Sequence, residues 1–213
     1  MATTAIHPTV IDTITGKVIA TGVSWEEYME HYAAHFCEWI GGTITQMSPV
    51  SKLHAEITQY LVMLFNAYFA HRPIGEVIAA PFVMRLEKSR EPDLQIILDS
   101  NPHETTPTYM DGPADIGIEV VSLESAPRDY GEKFVEYEKG GVREYWTIDP
   151  ERKECRFFRL GENGLYASQL PDAEGNYHSP ILPGLIIHAP TFWQTPLPDF
   201  LAIGRMMQEM VGN

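Results

Sequence analysis

The run DIGIEVV, residues 115–121, constrains the fold more tightly than any other part of the chain. Successive residues of a strand point to opposite faces, so Ile116, Ile118 and Val120 share one side and Gly117, Glu119 and Val121 the other. Both sides carry apolar residues, and a strand of that kind belongs inside a sheet covered on both faces. A carboxylate in such a place must be protonated, paired with a cation or bound to a metal to offset its desolvation. Glu119 is therefore the first candidate functional residue.

The neighbouring segments supply the covering layers. Ser24, with Glu27 three residues on, has the signature of a helix start, and "FCEWIGGTITQMS" reads as a hairpin around Gly41 and Gly42. A long helix is expected over 51–71, ended by Arg72-Pro73. Strands follow at 76–87, 93–99 and 115–121, then a helix over 127–139 that stops at Gly140-Gly141, and a strand at 143–149. "ECRFFRL" and "GLYASQL" form a second hairpin, and residues 197–211 an amphipathic closing helix. This order predicts an α/β fold, a mixed β-sheet flanked by helices with added hairpins. With 213 residues the chain is expected to be one domain: a core over about 24–192, an N-terminal extension over 1–23 and the closing helix.

Composition narrows the function. Fifteen basic residues against 29 acidic give a net charge of -14, which excludes a broad basic surface for nucleic acid and requires any polyanion to be met locally. Cys37 and Cys155 are far apart, so neither a zinc knuckle nor a dithiol motif is available. His31 and His35 have the spacing of a zinc pair, but no third ligand accompanies them. The N-terminus lacks a secretory pattern, and the apolar window at 60–70 is too short to span a bilayer. A cytoplasmic protein without a membrane partner is expected. The 51–71 helix is apolar nearly all round, with Leu53, Ile57, Leu61 and Leu64 on one side and Val62, Phe65 and Phe69 on the other. The second stripe predicts a homodimer.

Asp93 opens a strand directly after Pro92, and Glu119 lies in the next one. If these strands are neighbours, both carboxylates meet at one end of the sheet, where they repel unless a cation sits between them. Mg²⁺, or Mn²⁺ in its place, suits two carboxylates with waters, and the Val120 carbonyl oxygen is a further candidate ligand. At helical spacing from Tyr130, Lys133 falls on the shoulder of the apolar stripe formed with Phe134 and Tyr137, while Arg128, Glu132 and Lys139 fall on the solvent side. Lys133 can then reach back to the Glu119 strand and polarise a phosphate. Its removal is expected to stop chemistry and spare the fold. The same residues also allow Glu119 and Lys133 to be a plain ion pair.

The ordered stretches "EPDLQII", "GIEVVS", "RDYGEK", "GVREYWTIDP" and "SPILPGL" resemble the Uma2 family, or domain of unknown function 820, a branch of the PD-(D/E)xK restriction-endonuclease-like superfamily. The resemblance runs from about Ser24 to Phe192. It implies a restriction-endonuclease-like core and Mg²⁺-dependent cleavage of nucleic acid, with DNA the expected substrate. Pro92 and Asp93 match the PD element and Glu119 the acidic position. The lysine position two residues after Glu119 holds Val121, and the resemblance implies that Lys133 replaces it. Glu56, on the preceding helix, is a candidate outer metal ligand. Two other readings stand beside the nuclease: a degenerate member kept as a binding or regulatory module, and a carboxylate-pair hydrolase such as a glycosidase.

Overall fold

The computed structural model describes residues 12–13, 16–35 and 37–211. In chain order the strands are β1 (Asp12–Thr13), β2 (Gly16–Thr21), β3 (Cys37–Ile40), β4 (Thr43–Gln46), β5 (Gly75–Ala79), β6 (Val83–Met84), β7 (Leu94–Leu98), β8 (Tyr109–Met110), β9 (Ile116–Val120), β10 (Glu144–Asp149), β11 (Glu154–Leu160), β12 (Tyr166–Gln169), β13 (Asn176–His178) and β14 (Ile186–His188). The helices are α1 (Trp25–His31), α2 (Lys52–His71), α3 (Lys133–Gly140), preceded by a π-helical turn over Arg128–Glu132, and α4 (Phe200–Val211).

The central sheet has six strands in the order β12-β11-β10-β9-β7-β5. It is mixed, as expected: β9 and β10 run parallel, and every other adjacent pair is antiparallel. The two apolar sides of the β9 sequence meet two different layers. Ile116, Ile118 and Val120 join Leu94, Ile96, Trp146 and Ile148 under the Ile57, Leu61 and Phe65 side of α2. On the opposite face, Tyr137 from α3 packs with Ile97 and Tyr145. Gly117, which alternation puts on this second face, has no side chain because one would crowd the Tyr137 ring: a Cβ there would lie 3.3 Å from its Cε2. Gly141 ends α3 in the left-handed conformation, φ 88°.

Several expectations change. The strand expected over 76–87 stops at Ala79, and Pro81 separates it from the short β6, since proline cannot donate to a ladder. A four-stranded sheet, β1-β2-β4-β3, joins the predicted 37–46 hairpin to part of the N-terminal extension. The β13–β14 pair lies in the proline-rich stretch, where no strand was expected. The basis for a homodimer disappears: Phe65 is fully buried and Phe69 nearly so, in one core with Ile203 and Met207 of α4, while Val62 is half-buried against it. Phe65 turns to the sheet, 6.1 Å from the Trp146 ring, and α4 packs on α2, so the stripe that a second copy was expected to hide is covered within the chain. Among the described residues no helix is long and apolar enough to cross a membrane.

Candidate active site

Because β7 and β9 are antiparallel neighbours with Leu94 opposite Ile118, Asp93 at the entry of β7 lies beside the far end of β9. The Val120 N–H donates to Asp93 Oδ2 at 2.7 Å. The other oxygen, Oδ1, is 3.2 Å from His54 Nε2, at the start of α2. Glu119, only 2% exposed, points to the α3 face. Its Oε1 accepts from the Tyr137 hydroxyl at 2.8 Å, and its Oε2 is 2.8 Å from Lys133 Nζ. Of the three ways to offset its desolvation, Glu119 is paired with a cation, the Lys133 ammonium.

Lys133 is itself only 3% exposed. Its ammonium also lies 3.4 Å from Asp129 Oδ1 and 3.9 Å from Glu38 Oε1. The π-helical turn sets this position, since the Lys133 N–H reaches the Arg128 carbonyl five residues back. Such a turn holds one residue more than an α-helical turn, which breaks the phase projected from Tyr130. Lys133 consequently faces inward, and Arg128, expected in solvent, is buried. Glu132 and Lys139 are exposed, as expected. Glu38 links the site to a second network: it accepts from the fully buried Arg90 at 2.9 Å, and Arg90 also binds Glu136 at 2.7 Å and Glu132 at 3.1 Å.

Burial and charge pull these groups in opposite directions. Burial works against the Lys133 ammonium, but Glu119, Asp129 and Glu38 outweigh it and hold its pKa above the ordinary lysine value. Burial pushes the Glu119 carboxyl up despite Lys133, with Asp129 and Asp93 adding to the rise. Asp129 is raised by burial as well. For Glu38 burial is outweighed by Lys133 and Arg90, which keep it below the usual carboxylate value. Burial likewise raises Glu91, which the Tyr28 hydroxyl contacts at 2.9 Å, to about 7.

Asp93, Glu119 and Lys133 thus come together, at the edge of a cavity of about 300 Å³ also lined by His54, Glu38 and Asp129. Glu56 does not join them. It is exposed and 3.0 Å from Lys52 on the outer side of α2, because two residues along a helix turn the side chain away from the His54 face. His54, Asp129, Glu38, Arg90 and Tyr137 were not anticipated as site residues. The only sequence signal for them was polar residues beside apolar ones on elements whose packing partners were unknown.

The profile of a protein family described as Uma2, "Putative restriction endonuclease", matches residues 25–190. The chain belongs to the Uma2 family. Its fold also resembles that in a "crystal structure of a putative nuclease belonging to DUF820 from Anabaena variabilis", at 17% identity and a TM-score of 0.67, over 80% of this chain and 97% of that one. Comparison with curated proteins gives no match.

Uma2 membership brings a divalent cation into question, and the donors can be tested for it. Among the described residues no three His, Cys, Asp or Glu side chains converge as a complete metal cage. Mg²⁺ does not need one, since one or two carboxylates with waters and substrate oxygens suffice. The charge of the site points the same way. Glu119, Asp129 and Glu38 gather around Lys133, and Asp93 lines the same cavity. The carboxylates of Asp93, Glu119 and Asp129 are hard oxygen donors lining one cavity, and donors of this kind fit a divalent cation.

Proposed function

We propose that this Uma2 protein is a Mg²⁺-dependent endonuclease that hydrolyses phosphodiester bonds in DNA, with Mn²⁺ able to replace Mg²⁺. The observation that carries the reading is the buried Lys133 ammonium, 2.8 Å from Glu119 in the same cavity as Asp93. Asp93 and Glu119 would hold the cation, with the Val120 carbonyl as a further oxygen ligand. When bound, the cation supplies Lewis-acid charge at a phosphate oxygen and a water of lowered pKa.

The remaining work falls to the chain's own groups. Lys133 keeps its proton because Glu119, Asp129 and Glu38 surround it, so it presents a fixed positive charge to the negative charge that grows on phosphate oxygens during displacement. Tyr137 holds one Glu119 oxygen and thereby limits rotation of the carboxylate. His54 and the Val120 N–H each hold one oxygen of Asp93. These fixed dipoles need no reorganisation when substrate arrives.

The tight Lys133–Glu119 pair also favours a second reading, a nuclease fold retained as a binding module without turnover. Nicking of supercoiled plasmid and of circular single-stranded DNA separates the two. Wild type should nick in Mg²⁺ or Mn²⁺ and stop on chelation. Asp93→Asn should lose about 10²–10³ in rate together with the heat of Mg²⁺ binding in calorimetry. A folded wild type that binds Mg²⁺ but never nicks would favour the module, and equal Mg²⁺ binding by both proteins would sink the assigned site.

A further inference from the structure

Charge in the cavity is divided between floor and rim. The cations that line it, Lys133 and Arg128, are both buried. Two loops, residues 47–51 before α2 and 121–125 after β9, form much of the border, with Pro150 and Glu151. The exposed lining residues on this border are Ser48, Pro49, Val50, Ser51, Leu123, Glu124 and Glu151, and no lysine or arginine is among them. Leu123 is 80% exposed and Val50 49%. The lining of the rim is thus apolar and acidic; Lys52 and Arg152, exposed next to it in sequence, are paired with Glu56 and Asp149, and the cavity's own positive charge lies within.

A fully paired duplex fits this arrangement poorly. It presents two continuous phosphate backbones, which proteins meet with exposed lysines and arginines. Here they would meet Glu124 and Glu151 on a chain of net charge -14. An unpaired strand has a different option, because it can turn one phosphate inward and lay its flanking bases on the rim. Apolar side chains that project from a nucleic-acid site pack against unstacked bases or wedge between them.

Resting on the nuclease reading above, we infer that the site takes single-stranded or locally unpaired DNA, with Leu123 and Val50 packing against the bases that flank the phosphate at Lys133. Fully paired duplex is disfavoured by the acidic rim. Leu123 and Val50 are then specificity-determining residues rather than surface accidents.

The test is anisotropy of a labelled oligonucleotide in Ca²⁺, with gels to show that it stays intact, offered single-stranded, fully paired, or paired except for a central loop. The single strand and the looped duplex should bind at least about tenfold tighter than the paired form. Leu123→Ser with Val50→Ser should weaken the single strand about tenfold and remove the fluorescence change of a 2-aminopurine at the central position. Both side chains are exposed, so the fold is not at stake, and the circular dichroism should match wild type. Glu124→Lys with Glu151→Lys is the opposite perturbation and should raise duplex binding. Equal binding of single strand and duplex by wild type, or unchanged single-strand binding by the serine variant, overturns the inference while leaving the nuclease reading in place. Wild type that binds no oligonucleotide at all removes both.

Discussion

Replacing Lys133 by methionine is the perturbation that most directly tests the charge arrangement. Methionine keeps a flexible apolar stem but leaves Glu119, Asp129 and Glu38 facing one another without the ammonium. Breaking a buried pair by removing one partner costs about 3–5 kcal/mol, which in a domain of this size lowers the melting temperature by roughly 10 °C. The expectation that Lys133 could be removed without harm to the fold is corrected by its burial. The sign of the pH dependence follows from Glu119. Its carboxyl is raised by burial even in wild type and loses the pull of Lys133 in the variant. A folded pKa above the unfolded one means that the native state holds the extra proton between the two, so stability falls as pH rises through that window. Lys133 in wild type is raised, so its contribution is intact throughout the neutral range and is lost only above the ordinary lysine pKa. The gap between wild type and variant should therefore be narrow near pH 5 and widest near pH 9. Melting followed by circular dichroism across that range measures it. Added Mg²⁺ should raise the variant's melting temperature, because a ligand that binds only the native state stabilises it. Coincident melting at pH 8, or a gap that does not change with pH, would refute the reasoning.

Two further changes probe the framework around the site. Gly117→Ala puts a methyl group 3.3 Å from the Tyr137 ring, so the ring and its hydroxyl at Glu119 must shift; a loss of about 1–3 kcal/mol in chemical denaturation is expected, and an unchanged midpoint would mean that the close approach is unimportant. Phe65→Glu buries a carboxylate between α2 and the sheet and should cost more than about 4 kcal/mol at every protein concentration, whereas a folded variant that only shifts from dimer to monomer in light scattering would restore the α2 stripe as an interface.

Alternation made the sheet readable. The strands at 94–98, 116–120 and 144–149 fall within a residue or so of the expected ones, and the two faces of β9 pack as its pattern implied. The convergence of Asp93, Glu119 and Lys133 on one cavity was legible for a related reason: each is polar next to residues that must be buried. What escaped depended on partners distant in sequence. The apolar girdle of α2 and the amphipathic α4 were both visible, but nothing local says that one covers the other. Glu38 lies in the expected hairpin, and nothing local says that Arg90, far along the chain, closes over it. The π turn was invisible to a projection that assumes 3.6 residues per turn: Lys133 faces inward as projected, but Arg128, projected to solvent, is buried with it.

That turn also brings the Lys133 ammonium, carried on a helix, to Glu119, while the position two residues after Glu119 holds Val121. Val121 falls on the Glu119 face by alternation and is buried, with its N–H donating to the Ile148 carbonyl. A lysine at Val121 would bring a second ammonium toward the carboxylates that Lys133 already contacts, and like charges in a desolvated site oppose each other strongly. Placed on α3, the Lys133 ammonium is braced by Asp129 one turn earlier and by Glu38 from the accessory sheet, neither of which a strand lysine would contact from within its own strand. The geometry therefore ties the orientation of the charged group to the packing of α3 and the β3–β4 hairpin. Through Glu38, the Arg90 network extends that tie to Glu132 and Glu136 on the outer side of the helix. A charge on the helix can thus be as rigidly held as one on the sheet, provided the hairpin and the helix fold together.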